Sequence, residues 1–321
     1  MINRRNALGL IAAGALAAML PPAMAQDYPS RPVKMLVGFS AGGGVDAIAR
    51  TLAARLGEQM GQNFVVDNRP GATSTIAANV LVSSPADGYT VLLADSSLLI
   101  AARAMQNLSF DPLKNFVPLA GVAIAPLAIA VAADSKLQTL EDMAAAAKAG
   151  DLTYATSGIG TVHHLAMEHL QARAGIKMTH LPYRGASALL PDLISGQVSL
   201  GVLSAAAAQG QAQAGKIRVL GLTSPDKLEG AADWRPIADW LPGFDASPRL
   251  FLLAPSGTPQ PVVARLESEV AKALKDPGVA QNLVKQGFIT TFRPGPELRS
   301  EMAKELDRWT ELIQKSNIVL K

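Results

Sequence analysis

The chain has 321 residues, of which 49% are hydrophobic and 17% are charged. This composition excludes intrinsic disorder, and the length allows two domains that each bury their own core. The 29 basic and 26 acidic residues give a formal net charge of +3, so there is no basic surplus for binding the phosphate backbone of a nucleic acid. Cysteine is absent, which excludes disulfides, thiolate zinc sites, iron–sulfur clusters and cysteine nucleophiles.

The N-terminus has the order of a secretory signal. Arg4 and Arg5 precede an apolar run from Ala7 to Leu20, and the small residues of Ala23-Met24-Ala25 follow, so we expect cleavage before Gln26. The run is shorter than the roughly 20 residues that span a bilayer, and the paired arginines also permit the twin-arginine route. We therefore expect a soluble periplasmic protein, with a retained membrane anchor as the alternative.

Strands and helices alternate through the first part of the mature chain. Strands are predicted at Val33–Phe39, Phe64–Val66 and Thr90–Ala94, and the spacing of apolar residues predicts a helix over 48–60 that ends at Gly61. A second helix is expected to end near Val82. This order predicts a parallel sheet with right-handed crossovers.

The same alternation returns after Phe116. Strands are predicted at Leu127–Ala132, Leu152–Ala155, Met178–Leu181, Val198–Leu203 and Ile217–Thr223, and helices at Leu140–Lys148, His163–Ala174, Ala186–Ile194 and Ala205–Ala214. The stretch 225–248 is irregular. A strand at Phe251–Ala254 and two helices, at about 261–275 and 296–316, complete the chain. The pattern predicts two α/β lobes, with the last helices returning to the first lobe.

A glycine-rich loop follows the first strand. Gly42–Ala47 fits the pattern G-x-G-x-x-[GA] between a strand and a helix, and Asp67 ends the next strand, near the place of a ribose-binding acid. An NAD-dependent enzyme is therefore one interpretation, although export would remove it from the nicotinamide pool. Such a turn also directs free N–H groups and the positive end of a helix dipole at one point. This favours an anion or carboxylate site, with a purely structural turn as the third alternative.

A second loop of this kind, Ser157-Gly158-Ile159-Gly160-Thr161, lies in the second half of the chain. Asp95-Ser96-Ser97 and Ser204 also end predicted strands, at the edge where open α/β sheets bind ligands. The four histidines miss the zinc-protease spacings, and no G-x-S-x-G motif occurs. With no base and nucleophile evident together, we expect binding without catalysis, with neither metal nor cofactor.

Several segments, among them VGFSAGGGVDAIAR, VVDNRPGA, DGYTVLLADSS, YATSGIGTVHHLA and LPYRGASALL, resemble the Bug receptors. These are the extracytoplasmic solute-binding proteins of tripartite tricarboxylate transporters. The resemblance implies an α/β, two-lobe fold of the periplasmic-binding-protein type (type II), with a ligand cleft between the lobes. It places crossing strands near Val122–Ala128 and Leu250–Leu253, so that residues 26–124 and 251–321 form one lobe and residues 125–250 the other.

The resemblance also implies a site made of the two glycine loops and the strand ends beside them. The candidate ligand-binding residues are Phe39, Ser40, Ala41, Gly42, Gly43, Gly44, Asp46, Asp95, Ser96, Ser97, Thr156, Ser157, Gly158, Gly160, Thr161, His164 and Ser204. The expected function is a monomeric, non-enzymatic receptor that delivers a small carboxylate to the membrane components of such a transporter. A sensor without a transport role is the alternative.

The chain departs from the family at positions that matter for the solute. Val45 replaces a usual Thr, Asp95 is an unusual acid at a strand end that faces an anion, and Leu203 replaces a common acidic residue. A buried ammonium group needs a carboxylate or several acceptors to offset its lost hydration. We therefore expect a solute without an α-amino group: a mono- or dicarboxylate, aromatic ones included.

Overall fold

The computed structural model describes residues 28–105, 108–150, 152–231 and 233–315. The predicted signal segment and its cleavage site before Gln26 lie outside these ranges. None of the helices in the described ranges combines the length and apolar character needed to cross a bilayer.

The first lobe is built on a six-stranded sheet. Its strands are β1 (Val33–Val37), β2 (Phe64–Asn68), β3 (Thr90–Asp95), β4 (Phe116–Ile124), β10 (Arg249–Pro255) and β11 (Ile289–Pro294), and their order across the sheet is β11-β4-β10-β3-β1-β2. Helices α1 (Gly44–Met60), α2 (Thr75–Val82) and α3 (Ser96–Ala104) connect its first strands. Apart from the exposed Lys34 and the half-buried Thr90, β1 and β3 are buried on both faces, as expected for strands covered by helices on either side.

The second lobe is built on a five-stranded sheet. Its strands are β5 (Leu127–Ala132), β6 (Thr153–Thr156), β7 (Thr179–Pro182), β8 (Leu200–Ser204) and β9 (Ile217–Leu222), in the order β7-β6-β8-β5-β9. Helices α4 (Leu140–Ala149), α5 (Val162–Ala174), α6 (Ala186–Ile194) and α7 (Ala205–Gln213) pack around this sheet.

The C-terminal helices pack on the first lobe, as predicted. They are α8 (Gln260–Leu274), α9 (Pro277–Lys285) and α10 (Gly295–Lys315). Val270 of α8 lies in one apolar cluster with β1 and α1, and Trp309 of α10 lies in a second cluster with β3 and α3. Leu165 of α5 also belongs to this second cluster, so the two lobes touch through α5.

Both sheets are mixed: the predicted parallel pairing holds for the first three strands, and the later strands of the first lobe add antiparallel pairs. β1, β2 and β3 are parallel, whereas β10 runs antiparallel to β3 and β4. The alternation rule applies only to strands joined by a helix in sequence, and β10 and β11 reach the sheet after the whole second lobe. Helix α3 and strand β4 were not among the predicted elements.

Two chain connections join the lobes. Ala125 and Pro126 link β4 directly to β5, and the second connection enters the first lobe at Pro248, just before β10. The N–H of Ala125 donates to the carbonyl oxygen of Pro248 at 2.8 Å. The second crossing was predicted at Leu250–Leu253. This segment lies within β10, just after Pro248, where the two connections meet.

Candidate functional site

A cavity of about 280 Å³ lies between the lobes, beside the two connections. Its walls come from both sheets and from the joining segments, so a solute in it would contact both lobes. The residues around it are Gly44, Val45, Asp95, Ala125, Pro126, Leu127, Val162, His163, Ser204, Ala205, Ala206, Pro248, Leu250, Gln286, Gly287 and Phe288.

Four helices begin at this cavity. Gly44 is the first residue of α1 and Val162 the first of α5, while Asp95 and Ser204 are the N-cap residues of α3 and α7. The unpaired N–H groups of a helix start carry a partial positive charge of about half an elementary charge. Four such ends at one cavity create a site suited to an anion.

Several of these helix starts have free donors. The main-chain N–H groups of Val45, His163 and Ala206 make no hydrogen bond within the described part of the chain. Each belongs to the first turn of its helix, where no intrahelical acceptor is available. A carboxylate between the lobes could therefore be bound by main-chain donors alone.

The lining residues include no lysine or arginine, and Asp95 is their only acid. Asp95 is 8% exposed and caps α3: its Oδ1 accepts from the Ser97 N–H at 3.0 Å and also from the Ser97 hydroxyl. Burial raises the pKa of Asp95 to about 6, against the lowering effect of the bonds from Ser97. The electrostatic attraction for an anion must therefore come from the helix ends.

The first glycine loop is fixed by Asp46. This buried carboxylate accepts from the Gly42 N–H at 2.9 Å, from Arg50 Nε at 2.9 Å and from Asn68 Nδ2 at 2.9 Å. The bonds from Arg50, with those from Gly42 and Asn68, lower the pKa of Asp46 to about 2. Because its oxygens are already bonded, Asp46 holds the loop in place, and a direct contact with solute stays a prediction.

The structure places the members of this loop at different depths. Ser40, Ala41, Gly42, Gly43 and Gly44 are all exposed, and of these only Gly44 is among the residues that line the cavity. Phe39 packs on the first apolar cluster, and its carbonyl oxygen accepts from Asn68 Nδ2 at 3.0 Å.

Three histidines hold the second glycine loop, each through a different residue. His180 Nε2 lies 2.7 Å from the Thr156 hydroxyl, His163 Nδ1 lies 3.1 Å from the Ser157 hydroxyl, and His164 Nδ1 accepts from the Gly160 N–H at 3.1 Å. Burial lowers the pKa of all three rings, to about 4 for His163 and His180. The rings are therefore neutral near pH 7, and His164 can act as an acceptor only in that state.

His163, not His164, lies at the cavity. His164 is buried beneath the loop and stacks on His180, with 3.9 Å between ring centroids. On α5 it shares the buried side of the helix with Met167 and Gln171. This i, i+3, i+7 spacing is the sequence signal that could have separated the two neighbouring histidines.

The other side chains predicted to bind the ligand are buried or form hydrogen bonds within the protein. The hydroxyl of Ser96 accepts from the Arg249 N–H at 2.9 Å, and that of Thr161 caps α5 and donates to the Gly158 carbonyl oxygen at 2.8 Å. Thr156 is fully buried. Ser204 is exposed at the cavity and caps α7 by accepting from the Ala207 N–H at 3.3 Å.

The sequence did not predict that the loop between α9 and β11 forms part of the cavity wall. Gln286, Gly287 and Phe288 line the cavity from a loop far along the chain from both glycine loops. No motif marks this loop. Only the long-range pairing of β11 with β4 brings it to the site.

The structure also brings one serine and one histidine together, which sequence reasoning did not anticipate. Ser157 and His163 form the hydrogen bond described above, but within the described residues no acid binds the other ring nitrogen of His163. A lowered pKa also makes this ring a weak base. In the described ranges no group of three His, Asp or Glu side chains is arranged to hold a metal ion.

Asp67, the acid that would bind the ribose of a dinucleotide, is already hydrogen-bonded within the protein. Both carboxylate oxygens of Asp67 accept from Arg69, at 3.0 and 3.1 Å. A more open groove of about 690 Å³ lies between α1 and β2. It belongs to one lobe only and is lined by none of the residues of the two glycine loops, so we place the candidate site in the smaller cavity.

Comparison with known proteins agrees with this geometry. Residues 48–318 match the model of the tripartite tricarboxylate transporter family receptor. The chain belongs to this family. A UPF0065 protein from the tcbD–tcbE intergenic region of Pseudomonas sp. (strain P51) is 35% identical over 317 residues, which cover 97% of this chain and 94% of that protein.

Solved structures resemble the fold over most of its length. A ligand-free TctC solute-binding protein from Polaromonas has a TM-score of 0.80 and 29% identity, covering 90% of this chain and 99% of that one. R. palustris Rpa4515 with adipate has a TM-score of 0.77 and 29% identity, covering 91% and 99%. MatC from Rhodopseudomonas palustris with bound malate has a TM-score of 0.72 and 26% identity, covering 89% and 100%. The predicted two-lobe fold and family are thus confirmed.

Proposed function

We propose that this protein is an exported receptor that captures a small carboxylate between its lobes and presents it to the membrane components of a tripartite tricarboxylate transporter. The main observation behind the proposal is the interlobe cavity, at which four helices begin. Its lining residues include no lysine or arginine, so the helix starts supply the attraction for an anion. Two of the similar solved structures hold adipate and malate, both small dicarboxylates.

The binding mechanism is closure of the lobes on the solute. Donors from Gly44 and Val45 lie on the first lobe, and those from His163 and Ala206 lie on the second. A carboxylate held by both sets links the lobes, so binding favours the closed arrangement. The bodies that move are the two lobes: the first runs up to residue 124 and resumes at Arg249, because β10 (Arg249–Pro255) belongs to its sheet, and the second is residues 125–248.

The strength of such a site follows from its donors. A hydrogen bond to a charged group contributes about 1.5–3 kcal/mol, and three or four of them support micromolar binding after the entropic cost of association. The cavity volume of about 280 Å³ suits a small molecule. We expect no catalysis, because no acid in the described part of the chain orients the Ser157–His163 pair, and we expect a monomer.

Export is part of this proposal. The order of charged, apolar and small residues over 1–25 is that of a cleaved signal. Sequencing the N-terminus of protein purified from the periplasmic fraction should give Gln26 as the first residue. An intact Met1 on soluble cytosolic protein would contradict this part of the proposal.

The solute is identified by two measurements on the ligand-free mature protein. Thermal shift and calorimetry with succinate, adipate, malate and benzoate are compared with aspartate and glutamate. We expect micromolar binding of at least one acid that lacks an amino group. Tight binding of aspartate or glutamate alone would contradict the expected solute class, and binding of none would contradict the proposed function.

Catalysis is tested in the same samples. Mass spectrometry after prolonged incubation should recover the solute unchanged, as a receptor requires. A product that forms in the wild type and disappears in Ser157→Ala would instead identify an enzyme.

A further inference from the structure

Asp95 occupies a position where a carboxylate solute would meet another carboxylate. Its side chain lines the interlobe cavity, and only Oδ1 is bonded, by the N–H and hydroxyl of Ser97. Within the described residues, no hydrogen bond from another residue reaches Oδ2, and no Lys or Arg forms an ion pair with Asp95. Oδ2 therefore remains available for an additional partner.

The charged groups around Asp95 do not neutralise it. Glu305 of α10 adds a second negative charge nearby. Arg249, which follows Pro248 at the start of β10, directs its guanidinium to Asp245 and towards Glu301. His163 of α5, across the cavity, has its pKa lowered by burial to about 4 and is neutral near pH 7. Among the described residues that line the cavity, the helix starts are thus the only positive groups, and Asp95 competes with an anionic solute for them.

Two carboxylates in a low-dielectric site cannot both remain ionised, because like charges raise each other's pKa. We propose that Asp95 binds the solute carboxylate through a shared proton, so that the receptor takes up a proton from solution whenever it binds a carboxylate. The proton adds to the Asp95 carboxylate, and the resulting O–H donates to a carboxylate oxygen of the solute. No other bond forms or breaks. This inference rests on the proposed function and adds to it a mode of recognition.

The pH dependence follows from this proton. Burial already raises the pKa of Asp95 to about 6 in the free protein, and a nearby anion raises it further. Above pH 6 the free receptor must first gain the proton, so affinity should fall about ten-fold for each pH unit. Below pH 6 the affinity should level off. His163 and His180, whose pKa values are lowered by burial to about 4, do not change charge between pH 6 and pH 8, and burial also lowers the pKa of His164.

The test uses succinate, adipate and benzoate, none of which carries a hydrogen-bond donor when ionised. Calorimetry at pH 6, 7 and 8 measures affinity, and titrations in HEPES and in Tris at pH 7.5 measure the protons taken up. Asp95→Asn retains the cap to Ser97 and presents a permanent N–H donor in place of Oδ2. The matched control is Asp276→Asn, at the N-cap of α9, where the carboxylate accepts from Gly278 and Val279.

For the wild type we expect uptake of about one proton and an affinity that falls about 50-fold from pH 6 to pH 8, since half of the free Asp95 is already ionised at pH 6. Asp95→Asn should bind at pH 8 as tightly as the wild type binds at pH 6, with no pH dependence, while Asp276→Asn behaves as wild type. Binding that is independent of pH in the wild type, or weakened at every pH by Asp95→Asn, would overturn the inference and leave the carboxylate receptor intact. Failure of the wild type to bind any of the three acids would instead count against the proposed function.

Discussion

Three consecutive glycines end the first loop, and each meets different physical constraints. Gly42 has a φ of +83°, a conformation that side-chain-bearing residues rarely adopt. Gly43 has an ordinary extended conformation and is the N-cap of α1. At Gly44 a Cβ would lie 3.2 Å from the ring of Phe288, at the cavity wall. The sequence predicts that this loop needs glycine, but only the backbone angles separate the three roles.

Gly43→Val should abolish solute binding and leave the fold intact. A Cβ at Gly43 meets only the Ser40 carbonyl oxygen, at 3.4 Å, while the branched side chain would cover the exposed start of α1 next to Gly44. Calorimetry reports the loss of binding, and chemical denaturation reports the retained stability. The contrasting variant Gly42→Val should lose about 1–2 kcal/mol of unfolding free energy because of its positive φ. Wild-type affinity in Gly43→Val would show that this loop does not touch the solute.

Some residues of the site can be predicted from the sequence motif around them, and others cannot. Asp95 and Ser204 are the last residues of their strands, and Gly44 ends the loop that follows β1. Motif position alone therefore predicted that they lie at the ligand edge, and all three line the cavity. His163 and Phe288 could not be found in this way. The orientation of a ring on a helix and the long-range path of a loop depend on packing that no single segment encodes.

Elements bounded by strong end signals were predicted well. α5 ends at Gly175 in the left-handed conformation, and α4 begins after Thr139, which forms a capping box with Asp142. β4 was missed because it contains Pro118 and Gly121, both of which disfavour strands. Its ladder with β10 shifts register between Leu252 and Leu253, next to the pairing with Pro118, which is how a sheet accommodates a residue without an N–H.

Of the threonine caps of α4 and α5, only the cap of α5 should affect binding. Thr161 accepts from the His164 N–H at 3.3 Å, and Thr139 accepts from the Asp142 N–H at 3.0 Å. Thr161→Ala and Thr139→Ala should each cost about 1 kcal/mol of unfolding free energy. Because Thr161 also donates to the Gly158 carbonyl oxygen, only Thr161→Ala should weaken carboxylate binding, and Thr161→Ser should restore it. Equal affinities in the two alanine variants would contradict a role for this cap in shaping the site.

At the scale of the whole molecule, the decisive contacts are those between lobes. α5 packs Leu165 among side chains of the first lobe, and the loop at Gly287 approaches the start of α7 on the opposite side. These contacts join segments that are distant in sequence and lie in different sheets. Repeated strand–helix units therefore predict each lobe, but not how closely the lobes approach.

Gly287→Ala should hold the lobes apart. A Cβ there would lie 2.7 Å from the main-chain nitrogen of Ala206 and 2.9 Å from its Cα, across the interlobe contact. Backbone cannot yield as a flexible side chain does, so α7 must move away from the first lobe. The Ala206 N–H, one of the free donors at the cavity, moves with it. We expect weaker carboxylate binding and a larger radius of gyration of the solute-saturated protein in small-angle X-ray scattering.

Gly257→Ala separates this effect from backbone strain. Gly257 has a φ of +90°, close to the +77° of Gly287, but a Cβ there comes no nearer than 3.8 Å to its neighbour, the Cβ of Ala86 in the same lobe. Both variants should lose a similar unfolding free energy, of about 1–2 kcal/mol, whereas only Gly287→Ala should lose affinity and expand. If the two variants bind solute equally well and scatter alike, the approach of Gly287 to Ala206 does not belong to the solute-bound state. Closure would then have to occur through the α5 contact alone.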